Sequence, residues 1–212
     1  MMKSYLIVII IGYLFGCLQW SYFISKGIFK TDIRRLGGGN AGASNTVVSL
    51  GWKWGVLVAI LDILKAIASI LLVSYLIKLS IIEGNILHLY LNGLFVILGH
   101  DYPFFMGFKG GKGTASLIGM IVAIDYRLGA LGFLVILIVT VLTDYIALGT
   151  LSLVTFFILG TIYLDFGLFP TIITIFIALL SLYHHIPNIK AIKNKEERGL
   201  REALRKKAQP KA

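Results

Sequence analysis

Apolar residues run along this chain in long blocks, broken by short polar or glycine-rich stretches. The blocks cover 5–25, 54–77, 86–100, 113–124, 128–143, 145–163 and 168–184, with separators at 26–53, 78–84, 101–112, 125–127, 144 and 165–167. A helix that crosses a bilayer needs roughly 20 mostly apolar residues. Backbone groups cannot lie bare in hydrocarbon, so the blocks read as helices. The period-two alternation of a membrane barrel is absent. The pattern predicts an all-α, polytopic integral membrane helix bundle with about seven transmembrane helices, of which 113–124 is short for a full crossing. Only Lys3 precedes the first block with a charge, and Gly16-Cys17-Leu18 is a poor cleavage site, so that block reads as a transmembrane helix rather than a signal peptide.

Composition agrees. Of 212 residues, 58% are hydrophobic and 14% charged, against about 25% charged in a soluble domain, and the mean hydropathy is +0.88. Cys17 is the single cysteine, which rules out a disulfide within the chain and argues against a thiolate metal site. The net charge of +10 raises nucleic acid as a partner, but membrane topology already accounts for basic residues on one side. With the C-terminus inside, sixteen lysines and arginines fall on the cytoplasmic side and three outside, a bias that orients the protein. The chain divides into a membrane-embedded domain, 1–189, and a basic cytoplasmic tail, 190–212, that lies on the anionic leaflet as a solvated topogenic segment.

Two glycine-rich stretches then fall on that same side: TDIRRLGGGNAGASN, from Thr31 to Asn45, and GFKGGKGTAS, from Gly107 to Ser116. Glycine lets the backbone approach a ligand closely, so successive N–H groups can converge on an anion. Lys112 adds a point charge, and a helix starting near Thr114 adds its N-terminal partial charge. Glycines also serve plain tight turns; two such loops on one face, with Asn, Ser, Thr and Lys, favour a phosphate site. A P-loop is excluded, because Met106 and Gly113 stand where the Walker pattern needs glycine and a hydroxyl residue.

Asp62 and Lys65 sit inside an apolar block, three apart and so on one helix face. The spacing favours a structural ion pair over a pair lining a pathway. His100 opens the second glycine loop and His184 and His185 end the last block, where either site suits phosphate contact or proton transfer. His185 and Asn188 would share a helix face, with Pro187 standing against that continuation. His88 reads as packing or outer surface. Neither metal spacing of the H-E-x-x-H kind, nor G-x-S-x-G, nor H-x-x-x-x-D occurs.

At these residues the sequence resembles the bacterial acyl-phosphate:glycerol-3-phosphate acyltransferases, the PlsY family. GHDYPFFMGFKGGKGTA is similar to the family's G-H-x-[FY]-P…F-K-G-G-K-G, and DIRRLGGGNAGASN to its D-I-R…G-S-G-N-x-G-A-T-N; LDILKA and HIPNI fit at the expected places. The resemblance implies a seven-helix enzyme of the bacterial inner membrane, active on the cytoplasmic side, without metal or cofactor. It moves an acyl chain from acyl phosphate to glycerol 3-phosphate and forms lysophosphatidic acid for phospholipid synthesis.

Carried onto this chain, the resemblance assigns Gly39, Asn40, Gly42, Ser44 and Asn45 to one phosphate-binding loop and Gly110, Gly111, Lys112 and Gly113 to the other. His100, His185, Asn188 and Lys112 become the candidate catalytic residues. The hydroxyl proton has two acceptors open to it, His185 or a substrate phosphate oxygen. The chain departs from the family pattern at Gly38, at Ser44, at Val48 where arginine is usual, and at Asp144 and Ala147 in place of arginine and serine. Two alternatives follow: a divergent member with altered substrate or lost turnover, and a small organophosphate transporter. No internal repeat supports the transporter.

Overall fold

A computed structural model describes residues 2–205; Met1 and the end of the basic tail, 206–212, lie outside the described residues. Those residues form helices and no strand. The helices are α1 (Met2–Gly16), α2 (Trp20–Gly27), α3 (Ala43–Leu50), α4 (Trp52–Lys78), α5 (Ile86–Asp101), α6 (Thr114–Ile124), α7 (Tyr126–Thr143), α8 (Ile146–Tyr163), α9 (Leu168–Lys193) and α10 (Leu200–Arg205). All seven apolar blocks become helix, but unequally. Met2–Gly27, α4, α7, α8 and α9 are long and apolar enough to cross a membrane. At 1.5 Å per residue, α5 reaches about 24 Å and α6 about 17 Å, against roughly 30 Å of hydrocarbon.

Small residues let α1 and α5 close up. Gly12 and Gly16 recur four apart on α1, and a Cβ at either would meet the backbone carbonyl of Asn92 or Val96 on α5. In lipid, such small-residue seams replace the missing hydrophobic drive with close van der Waals packing. Between α5 and α8 the interior fills with Tyr90 and Phe157, stacked at 5.7 Å, and the Tyr90 hydroxyl meets the Thr161 hydroxyl at 3.0 Å.

The first block is not one helix. It breaks at residues 17–19, and the carbonyls freed by the break receive the Lys65 ammonium, 3.1 Å from Gly16 O and 2.8 Å from Leu18 O. Lys65 also pairs with Asp62 Oδ1 at 2.8 Å. The pair ties α4 to the broken first block and caps its freed carbonyls where water cannot, and Asp62 also lines a cavity in the bundle.

Three other features differ from the sequence reading. α3 lies inside the separator 26–53; its composition, Ala-Ser-Asn-Thr-Val-Val-Ser-Leu, is rich in weak helix formers, and Gly51 at φ 98 ends it sharply. α9 runs through Pro187 to Lys193, past both the block end at 184 and the domain boundary at 189. Proline removes one backbone bond, to Tyr183 O, and kinks rather than ends a helix whose other bonds persist. Finally, the tail turns back on the bundle instead of lying free, as its hydrogen bonds to α7 and α9 show.

Candidate active site

The two glycine-rich stretches are tied to each other. Asp32 accepts from the Arg34 backbone N–H at 3.0 Å and starts the 3₁₀ turn Ile33–Arg35. Arg34 pairs with Asp32 at 2.8 Å and donates through Nη1 to Met106 O at 2.6 Å, bridging to the second loop. The hydrogen bond from Arg34 holds the Asp32 carboxyl below its ordinary value. Ala41 N donates to Gly110 O at 3.0 Å, a direct backbone link.

Asn45 organises the first loop from inside. Its Nδ2 lies 3.1, 3.1 and 2.8 Å from the carbonyls of Ile33, Leu36 and Asn40, and its Oδ1 accepts from Gly38 N at 2.7 Å. Asn45 therefore shapes the loop's backbone and has little left to offer a ligand. Gly37 needs its glycine twice over: φ is 53, and a Cβ would strike Asn45 Oδ1.

In the second stretch, Gly113 takes the left-handed conformation at φ 70 and releases the chain into α6 at Thr114. No side chain caps the first turn of α6, so its N–H groups are available to an anion. Gly111 packs against the His100 ring, where a Cβ would collide with Nε2. His100 is buried, with Nδ1 2.9 Å from Lys65 Nζ and 3.7 Å from Asp62 Oδ1. Its backbone carbonyl accepts from Gln19 Nε2 at 2.7 Å.

Because α9 continues through Pro187, His185 and Asn188 do share a face. The Lys112 ammonium donates to Asn188 Oδ1, and Asn188 Nδ2 donates to Glu197 Oε1 at 2.7 Å. Desolvation pushes the Lys112 ammonium below its ordinary value, and the Glu197 charge partly opposes this. His185 Nδ1 lies 2.8 Å from Ser181 O. A carbonyl only accepts, so Nδ1 carries hydrogen and Nε2 remains the ring's acceptor.

These groups surround one cavity of about 510 Å³. Asn40, Gly42, Ser44, Asn45, His100, Lys112, Gly113, His185 and Asn188 line it. Gly39, Gly110 and Gly111 do not; they set the turns and linkages behind it. His184 turns away to Tyr102 and Asp101, while His88 caps α5 with Asn85 and stacks on Tyr5. On the cavity's other side Ala59, Ile63, Ile118, Phe133 and Ile136 form an apolar wall, and Phe133 is exposed on the bundle's outer face. Polar lining at one end and apolar lining at the other suit a ligand with a charged head and a hydrocarbon tail.

A model of the glycerol-3-phosphate acyltransferase family matches residues 6–195. The chain belongs to that family. A relative from Oceanobacillus iheyensis, glycerol-3-phosphate acyltransferase 1, is 45% identical over 206 residues, covering 96% of this chain and 99% of its own. Crystal structures of PlsY, an integral membrane glycerol 3-phosphate acyltransferase, are similar throughout. The glycerol 3-phosphate form superposes with a TM-score of 0.83 at 32% identity, over 93% of this chain and 96% of that one. The lysophosphatidic acid form gives a TM-score of 0.80 at 32% identity, over 96% and 100%.

Within the family's frame, the departures from its pattern separate. Val48 and Ala147 line the cavity and offer no side-chain donor. Asp144 instead faces the returning tail, accepting from Arg201 N at 2.9 Å. Glu196, Glu197 and Arg198 also line the cavity, and the sequence reading passed over all three. The clue available was two adjacent acids inside a largely basic tail.

Proposed function

We propose that this chain transfers the acyl group of acyl phosphate to the sn-1 hydroxyl of glycerol 3-phosphate, producing lysophosphatidic acid. The observation that carries this reading is the cavity itself. It joins a glycine-loop and lysine anion cradle to an apolar wall that reaches the outer face of the bundle at Phe133. The polar end would hold the phosphates and the apolar end the acyl chain. The names borne by the matched relatives and structures support the acceptor and the product.

Acyl phosphate is a mixed anhydride with a good leaving group, so the protein's task is orientation and charge stabilisation. The acceptor oxygen attacks the acyl carbon, a carbon–oxygen bond forms, and the bond to phosphate breaks as inorganic phosphate departs. Lys112 and the free amides of α6 stabilise charge gathering on phosphate and the carbonyl oxygen. His185 Nε2, the ring's open acceptor, takes the hydroxyl proton. Asn188 holds Lys112, and His100 shapes the cavity floor from its contact with Lys65 and Asp62. The lysine and arginine bias supports cytoplasmic loops and C-terminus, and the bacterial relatives support the plasma membrane.

The test is lysophosphatidate formation by detergent-purified protein given acyl phosphate and labelled glycerol 3-phosphate, with acyl-CoA as a parallel donor. Product from acyl phosphate alone confirms donor and reaction, and it excludes a transporter, which needs two compartments. Folded protein without product from either donor would defeat the proposal in favour of a member with another substrate.

A further inference from the structure

We propose that Arg198, carried into the cavity by a C-terminal segment anchored on Asp144, binds a phosphate group of the substrate. The inference rests on the reading of this cavity as a site for phosphate-bearing molecules. Among the described residues, Lys112 and Arg198 supply the only lysine or arginine side chains lining it. The Lys112 ammonium is engaged by Asn188, whereas the Arg198 guanidinium has no hydrogen-bond or ion-pair partner among the described residues. Glu196 and Glu197 stand on the same rim, so a single half-buried lysine would face two carboxylates as well as the incoming phosphate. A second cation brings the lysine and arginine charges level with the two glutamates. Guanidinium, planar and forked, matches phosphate oxygens in pairs.

A freely solvated tail would not hold Arg198 at the cavity, but both of its neighbours are pinned. Glu197 accepts from Asn188 Nδ2 at 2.7 Å on one side. On the other, Gly199 is buried against Asp144, where a Cβ would strike the carboxylate. Leu200 N then donates to Asp144 O at 2.7 Å and Arg201 N to Asp144 Oδ1 at 2.9 Å. Arg201 Nη2 reaches Val141 O at 3.2 Å. Asp144 can serve this way because it sits in the left-handed region at φ 70 after α7, turning its carbonyl and carboxylate together toward the tail. Aspartate and asparagine tolerate that conformation better than most residues. Asp144 is thus a positioning residue, and Arg198 the group that meets substrate.

The experiment is calorimetric binding by full-length purified protein, with glycerol 3-phosphate and a non-hydrolysable acyl phosphonate titrated separately. Arg198→Ala is expected to weaken one of them about ten- to a hundredfold, the range of a lost charge-assisted hydrogen bond, with Arg198→Lys recovering part. The ligand that weakens identifies whose phosphate Arg198 holds. Asp144→Ala should weaken the same ligand, Asp144→Asn should retain binding through its Oδ1, and adding Asp144→Ala to Arg198→Ala should weaken it no further. If the parent binds and Arg198→Ala matches it for both ligands, the inference fails while the proposed function stands. Fully additive losses in the double variant overturn the anchoring role of Asp144. A parent that binds neither ligand overturns the phosphate reading of the cavity and this inference together.

Discussion

The Lys112 ammonium donates to Asn188 Oδ1 across 76 residues of sequence, joining the second glycine loop to the end of the last long helix. The contact aims a half-buried charge into the cavity. Any function that uses the glycine loop as an anion cradle therefore depends on both residues.

Lys112→Ala removes that charge without touching the helix interfaces. The expected outcome is a loss of about 10²–10³ in kcat, the size seen when one stabilising donor is removed from a transition state. Helix content and elution volume in detergent should be unchanged. Near-normal turnover in this variant would contradict the cradle.

Burial sets the pH behaviour of the same lysine. Its folded-state pKa lies below the ordinary 10.5, mainly through desolvation. A depressed cation keeps its charge below that pKa and loses it as pH rises through it, so phosphate attraction fades on the alkaline side. We expect kcat/KM to begin falling at a pH below 10.5, and Lys112→Arg, which stays charged, to remove that limb. An alkaline limb that Lys112→Arg leaves in place would assign it to another group.

Gly111→Ala places a methyl group on the His100 ring. The ring cannot retreat, because Lys65 and the Gln19–carbonyl bond hold His100 from behind. Overpacking of this kind costs about 1–3 kcal/mol. A lowered unfolding midpoint in detergent and reduced turnover are both expected; Gly27→Ala, at a glycine without positive φ whose Cβ meets nothing within 4 Å, is the control for an added methyl group.

Asp62→Asn leaves the Lys65 ammonium buried without its counter-charge, which should destabilise the bundle by about 3–5 kcal/mol. Removing the second charge as well, with Lys65→Met, is not expected to restore stability, since the Gly16 and Leu18 carbonyls then lose their donor. Thermal unfolding of the two variants measures this. Full recovery in the double variant would reduce Lys65 to an ordinary ion-pair partner.

Much of the cavity was legible because its chemistry is carried by local runs. Gly110 to Gly113 and Gly37 to Asn45 mark, through composition alone, the loops that line or support the cavity, and the apolar blocks announce their helices through length. His185 with Asn188 was legible as a spacing, but Pro187 hid the helix that makes the spacing count. Whether a proline ends or merely kinks a helix depends on the tertiary support for its remaining bonds.

By itself, the sequence determined that the chain is helical and membrane-embedded, and it supplied the charge bias and the glycine-rich loops on which the proposed orientation and phosphate site rest. Those properties follow from hydrophobic length, charge bias and glycine content, each readable within a few residues. Only the tertiary structure decided what each polar group does once desolvated. Lys65 caps a helix break 47 residues away, Asn45 spends its amide on its own loop, and Arg198 enters the cavity because Asp144 grips the residues that follow it. In an interior without water, a polar group's role is set by whichever donor or acceptor the fold brings within about 3 Å, and for Lys65 and Lys112 that partner is distant in the chain.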